Sequence, residues 1–266
     1  MKTISSHAPP KPYSVRVFRC GGEYGPASSV YWNDRLGECC ELFYYVVLIE
    51  NSERRILVNT GMPDDFSEFD AFVKSWNPVC RIYREETESP VRILASSGIA
   101  PTDIDVVLIT PLTVYTTGNL ALFPNATFCF NRRGWVDFWA PHRHAPRLPL
   151  NIAMCRDSRL FLAESGLERV RLLDDEEDVC PGVHAFYTGG HHTSSMAISV
   201  VTEQGCVILG DCFFTYDNLE KNIPIGWAEN HHEIYAAYAR VREQADIALP
   251  LYDPEVLKRF PGGVIA

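Results

Sequence analysis

IDVVLITPLTVYTTGN, residues 104–119, decides how the rest of the chain is read. Val106 to Ile109 form an unbroken apolar run rich in β-branched residues, the composition of a short buried strand. Pro101 and Asp103 break the chain before it, and Thr110 stops the run and opens a loop. Loops placed at strand ends carry function more often than the strands themselves. This one offers hydroxyls and a phenol but no ionisable metal ligand.

Upstream, FYYVVLIEN (43–51) and RRILVNTG (54–61) read as a hairpin turning at Ser52 and Glu53. DDFSEFDAFVKSW places Phe66, Phe69, Val73 and Trp76 at helical spacing, which assigns those side chains to the core. VRILASSG reads as a helix ending at Gly98. Downstream, ATFCFN is a strand, the prolines of WAPHRHAPRLPL exclude regular structure, and CRDSRLFLAESG is a helix closing on Gly166. VHAFYTGG, SMAISVVTE and CVILGD are strands, and HHEIYAAYARVREQAD puts Tyr235, Tyr238, Val241 and Ala245 on one helix face. IALPLYDP supplies a last strand and turn. Strands with interspersed helices in two similar halves predict an α/β fold with two sheets packed face to face and helices outside. No linker or fixed-period repeat divides residues 1–266, so a single domain is expected.

With 266 residues and 46% hydrophobic content the chain can bury one substantial core. A formal charge of -10 without a basic patch argues against nucleic acid as a partner. The acidic run DDEED, 174–178, reads as a solvated loop. The opening MKTISSHAPPKPYS lacks a basic stretch followed by an apolar one, and no apolar run is long enough to span a bilayer; the expectation is a cytoplasmic protein without a membrane partner. Nine cysteines without a CxxC pair read as reduced residues, not as a disulfide framework or a thiolate zinc site.

Three loops that each follow an apolar strand are placed to converge: TPLTVYTTGN, TGGHHTSS and LGDCFFTYDN. Together with ILVNTG, GNLALFPNATF, NLEKNIPIGW and LPLYDPEVLKRFP, they resemble the metallo-β-lactamase superfamily, in particular its lactonase-like hydrolases, over nearly the whole chain. The resemblance implies a four-layer αββα sandwich and a site for two metal ions, whose shared water and polarised carbonyl carry hydrolysis. It also implies seven ligand positions. They fall here on Pro111, Thr113, Tyr115, Thr116, His191, Asp211 and Tyr252, so only His191 and Asp211 keep the family's ligand types. Phe214 stands where related lactonases often have a tyrosine, and Asn59-Thr60-Gly61 replaces D-T-G. The expectation is no bound dinuclear metal and no cofactor. The neutral Tyr115 avoids setting a second buried carboxylate against Asp211.

A relocated single-metal site would have to draw on His142, His144 and His192; His231 and His232 read as a helix N-terminus and His184 as structural. Three functions follow. One is a repurposed, metal-independent enzyme in which His191 acts as base, Asp211 orients it, and Tyr115 and Tyr252 serve as acids or oxyanion donors, acting on an ester, lactone or thioester or by isomerisation or elimination. The second is a binder of a small molecule or protein, and the third a single-metal hydrolase. Thr113, Thr116, Phe214, Tyr216, Trp227 and Tyr31 are expected to line the pocket, with Trp32 near its mouth. A small-molecule ligand or substrate is expected; the residues leave the oligomeric state open.

Overall fold

The computed structural model describes residues 10–142 and 148–266. Seven strands build the first sheet: β1 (Ser14–Pro26), β2 (Cys39–Glu50), β3 (Arg55–Val58), β4 (Arg81–Tyr83), β5 (Val106–Leu108), β6 (Thr127–Asn131) and β7 (Val170–Leu173). They lie in the order β4-β1-β2-β3-β5-β6-β7, with β3 and β5 to β7 parallel. The second sheet contains β8 (Glu176–Cys180), β9 (Val183–Tyr187), β10 (Met196–Thr202), β11 (Gly205–Gly210) and β12 (Ile247–Pro250), in the order β12-β11-β10-β9-β8.

The apolar runs are explained by two cores. In β2, Tyr45, Val47 and Ile49 face the space shared with the second sheet, whereas Val46 and Leu48 face the outer helices. Strands β3, β5 and β6 divide in the same way: Val106 and Leu108 join the first core and Val107 the second. A strand covered on both faces has no position for a polar residue, so its sequence reads as continuous rather than alternating. The helices Pro90–Ser96 and Arg156–Ala163 cover the first sheet, and His231–Gln244 packs on the second, giving the expected four layers.

Several local expectations are corrected. Strand β1 escaped the sequence pattern because Gly21 and Gly22 sit at a bulge, where the pairing with β2 shifts register after Arg19. Gly21 has φ +104°, and a Cβ there would meet the Tyr83 carbonyl oxygen at 2.7 Å. The run 174–178 is not a free loop: it enters β8 and its charges are matched by Arg132, Arg133, Arg171, Arg240 and His184. On the helix His231–Gln244 the buried face is Ile234, Ala237, Tyr238 and Val241, while Tyr235 is exposed. Trp76 is 50% exposed and not core. All nine cysteines are free, five of them buried. Among the described residues no helix is long and apolar enough to cross a membrane.

Candidate ligand-binding site

The ends of β3, β5, β9, β11 and β12 meet at one edge of the two sheets, and hydrogen bonds lock their loops together. Asn59, at φ +64°, accepts from the Thr110 N–H and donates to the Thr110 carbonyl, both at 2.9 Å. An amide can make both bonds; a carboxylate in its place would set an oxygen against that carbonyl. Thr110 Oγ1 accepts from Met196 N at 2.8 Å and lies 2.6 Å from Asp211 Oδ1, to which it donates. Ser195 Oγ donates to the other carboxylate oxygen. Burial raises the Asp211 carboxyl to about 6, against the opposing effect of these two hydroxyls.

His191 follows two glycines at φ +53° and +74°. A Cβ on Gly190 would stand 2.5 Å from Ile234 Cδ1 and 3.1 Å from its backbone nitrogen, so this turn needs glycine for both reasons. His191 Nδ1 donates to the Trp227 carbonyl at 2.8 Å. That bond fixes the tautomer and leaves Nε2 to accept from the Tyr115 hydroxyl at 3.3 Å. The expected pairing of His191 with Asp211 is therefore absent: a main-chain carbonyl orients the ring, and two hydroxyls occupy the carboxylate. Burial, reinforced by His192, holds the imidazole well below its ordinary pKa, and burial raises the Tyr115 phenol. The pair is uncharged at neutral pH.

Aromatic rings fill the space around it. Tyr115 stacks on Tyr44 at 4.7 Å and 6°, and meets Tyr252 edge-on at 6.1 Å. Phe214 stands edge-on to both His191 and Tyr252, at 4.8 and 4.9 Å. The Tyr252 hydroxyl is buried without a hydrogen-bond partner among the described residues. Above this floor opens a cleft of about 450 Å³, walled chiefly by Phe69, Phe72, Trp76 and Trp227 and reaching Thr113, Tyr115 and His191. Trp76 and Trp227 approach to 4.5 Å.

The structure thus brings together Tyr115, His191, Thr113, Trp227, Phe214 and Tyr252, with Asp211 beside them. It does not bring in four others. Thr116 Oγ1 is spent within its own turn, donating to the Pro111 or Thr113 carbonyl. Tyr31 is a core residue beneath the Arg35 guanidinium, and Tyr216 lies beneath that of Arg259. Trp32 is exposed against His231, away from the cleft. Sequence reasoning missed Phe72, which lies three residues after Phe69 on the same helix and carried a usable signal, and Glu229, which carried none.

A dinuclear metal centre of the kind implied by the fold does not fit these side chains. Both His191 nitrogens and both Asp211 oxygens have partners, and Thr113, Tyr115, Thr116 and Tyr252 present neutral hydroxyls. Among the described residues no three His, Cys, Asp or Glu side chains gather as a metal-holding group. Of the candidates for a relocated site, His144 lies outside the described residues and His192 directs Nδ1 to Glu229.

The two facing sheets, the outer helices and the convergent loops give this chain the metallo-β-lactamase fold. Its sequence is similar to those of lactonase-like hydrolases. It is 25% identical over 220 residues to the N-acyl homoserine lactonase AiiA of Bacillus thuringiensis subsp. kurstaki, spanning 80% of each chain. The solved N-acyl homoserine lactone hydrolase with N-hexanoyl-L-homoserine bound at its catalytic metal centre superposes with a TM-score of 0.77 at 21% identity, covering 96% of this chain and 99% of that one. The hydrolase AbOPH of the β-lactamase superfamily gives 0.67 at 13% identity, over 97% and 93%. No protein-family model matches the chain.

Proposed function

We propose that this chain is a metal-independent member of the lactonase-like group that holds a small N-acylated molecule in its aromatic cleft without hydrolysing it. The observation that carries this reading is the cleft floor, where Tyr115 donates to His191 and both ring nitrogens are spent. An acid–base catalyst works best with a pKa near the working pH. Here the imidazole is pushed well below that range and the phenol is raised, so neither group exchanges a proton readily. What remains is an uncharged, hydrogen-bonding surface beneath apolar walls, suited to a polar group carrying a hydrocarbon chain. The solved relatives holding N-hexanoyl- and N-decanoyl-L-homoserine support that ligand class.

Each buried methylene contributes about 0.8 kcal/mol, so lengthening an acyl chain by four carbons should tighten binding by up to ~3 kcal/mol, roughly 100-fold. Tryptophan fluorescence, to which Trp76 and Trp227 contribute from the cleft wall, titrated with N-hexanoyl- and N-decanoyl-homoserine lactone in the presence of chelator, tests this. Saturable quenching that strengthens with chain length is expected. No saturation, or equal affinity for both chains, would sink the proposal.

Asp211, raised to about 6, and the unpartnered Tyr252 hydroxyl favour a second reading, metal-independent turnover of an ester or lactone by proton transfer. Under it, ring-opened product accumulates with chelator present and Asp211→Asn abolishes the rate; an uncatalysed background rate rules it out.

A further inference from the structure

The aromatic cleft shares His192 and Glu229 with a smaller neighbouring cleft of about 110 Å³, which also reaches Thr193 and Ser194. Glu229 is held in place by the Thr193 N–H at 2.8 Å and the Thr193 hydroxyl at 2.9 Å, and it accepts from His192 Nδ1 at 3.1 Å. A carboxylate only accepts, so Nδ1 carries the hydrogen and the neutral ring keeps its lone pair on Nε2. Unlike His191, whose two nitrogens are both bonded, His192 has no partner at Nε2 among the described residues. The ring belongs to a turn fixed by reciprocal bonds between His192 and Ser195.

Ser194 supplies the complementary group. Its Oγ accepts from the Leu112 N–H at 2.8 Å, and its own proton has no acceptor among the described residues although the residue is only 8% exposed. A buried hydroxyl with an unspent donor calls for an acceptor. Its position is fixed from behind by Gly134, whose absent Cβ would lie 2.2 Å from Ser194 Cβ. One turn therefore presents an unspent acceptor and an unspent donor to the same small cleft, directly beside the apolar one.

We propose that His192 and Ser194 form a polar subsite that reads a secondary amide, the ligand N–H donating to His192 Nε2 and its carbonyl accepting from Ser194 Oγ. Glu229 is the positioning residue that sets the imidazole tautomer. This rests on the reading of the aromatic cleft as the seat of an N-acyl chain, and names the residues that recognise its amide.

Calorimetric titration at pH 8 with an N-alkyl octanamide and the ester of the same length separates the two. The wild-type protein should bind the amide about tenfold more tightly, the worth of one net hydrogen bond. His192→Ala, at a partly exposed position, should erase that preference while leaving affinity for the ester within twofold. Ser194→Ala should weaken amide and ester alike, since both carry a carbonyl. Equal wild-type affinity for the two ligands, or a preference that survives in His192→Ala, overturns the subsite and leaves the acyl cleft standing. Binding of neither overturns both.

Discussion

Replacing Glu23 by glutamine isolates one partly buried carboxyl that supports the cleft floor from behind. Glu23, on β1, accepts from the Tyr44 hydroxyl at 2.8 Å, and the Tyr44 ring stacks on Tyr115. Burial raises the carboxyl from its usual 4.5 to about 7, the bond from Tyr44 opposing that rise only in part. The folded protein therefore holds this proton more tightly than the unfolded chain does. Its contribution to stability is complete below pH 4.5 and is lost as pH climbs to 7. The interval is roughly two and a half pH units, each worth about 1.4 kcal/mol, so the loss is about 3 kcal/mol. Glutamine cannot ionise and carries only a pH-independent cost for its unpaired amide hydrogens, about 1 kcal/mol. Urea denaturation of both proteins at half-unit steps from pH 4 to 8.5 should show the wild type losing about 3 kcal/mol relative to Glu23→Gln across that interval, with the variant the more stable at pH 8. Parallel pH profiles would show that the carboxyl ionises as freely in the folded state as in the unfolded one, and would refute the reasoning.

Asn59→Asp should cost about 2 kcal/mol, because a carboxylate oxygen then faces the Thr110 carbonyl in a buried site; chemical denaturation at pH 7.5 checks it, and unchanged stability contradicts the account of that loop. Gly134→Ala should lower stability by about 1–3 kcal/mol and displace Ser194, read as a fall in melting temperature together with weaker acyl-amide binding. Trp76→Ala, at a half-exposed position, should leave stability within about 0.5 kcal/mol while reducing affinity for an N-decanoyl ligand at least tenfold in a calorimetric titration.

The fold was legible because its central strands carry their evidence locally. The runs around Ile56, Val107 and Phe128 admit no polar residue, since each is packed on both faces. Strand β1 was not legible, because its glycines interrupt the pattern at a bulge whose register is set by β2. Helix Ser67–Trp76 was found, but its aromatic spacing could not distinguish Phe69, which is buried, from Trp76, which stands at the cleft. Within the site, the position of His191 followed from the glycine turn, whereas its partners did not. Trp227 reaches it through a main-chain carbonyl, which any residue supplies, and Glu229 lies 37 residues beyond the histidine it binds. The family resemblance assigned Tyr31 and Tyr216 to the pocket; in the structure both are buried in the core with an arginine over each ring.

The most direct test of the central claim is to incubate the protein with N-decanoyl-L-homoserine lactone and excess chelator, pass it rapidly through a desalting column, and weigh the retained small molecule by mass spectrometry. About one equivalent of intact lactone per chain is expected. A retained or released product heavier by one water, formed faster than in buffer alone, would contradict the claim that this cleft holds its ligand without hydrolysing it, and an empty protein fraction would contradict the claim that it holds one at all.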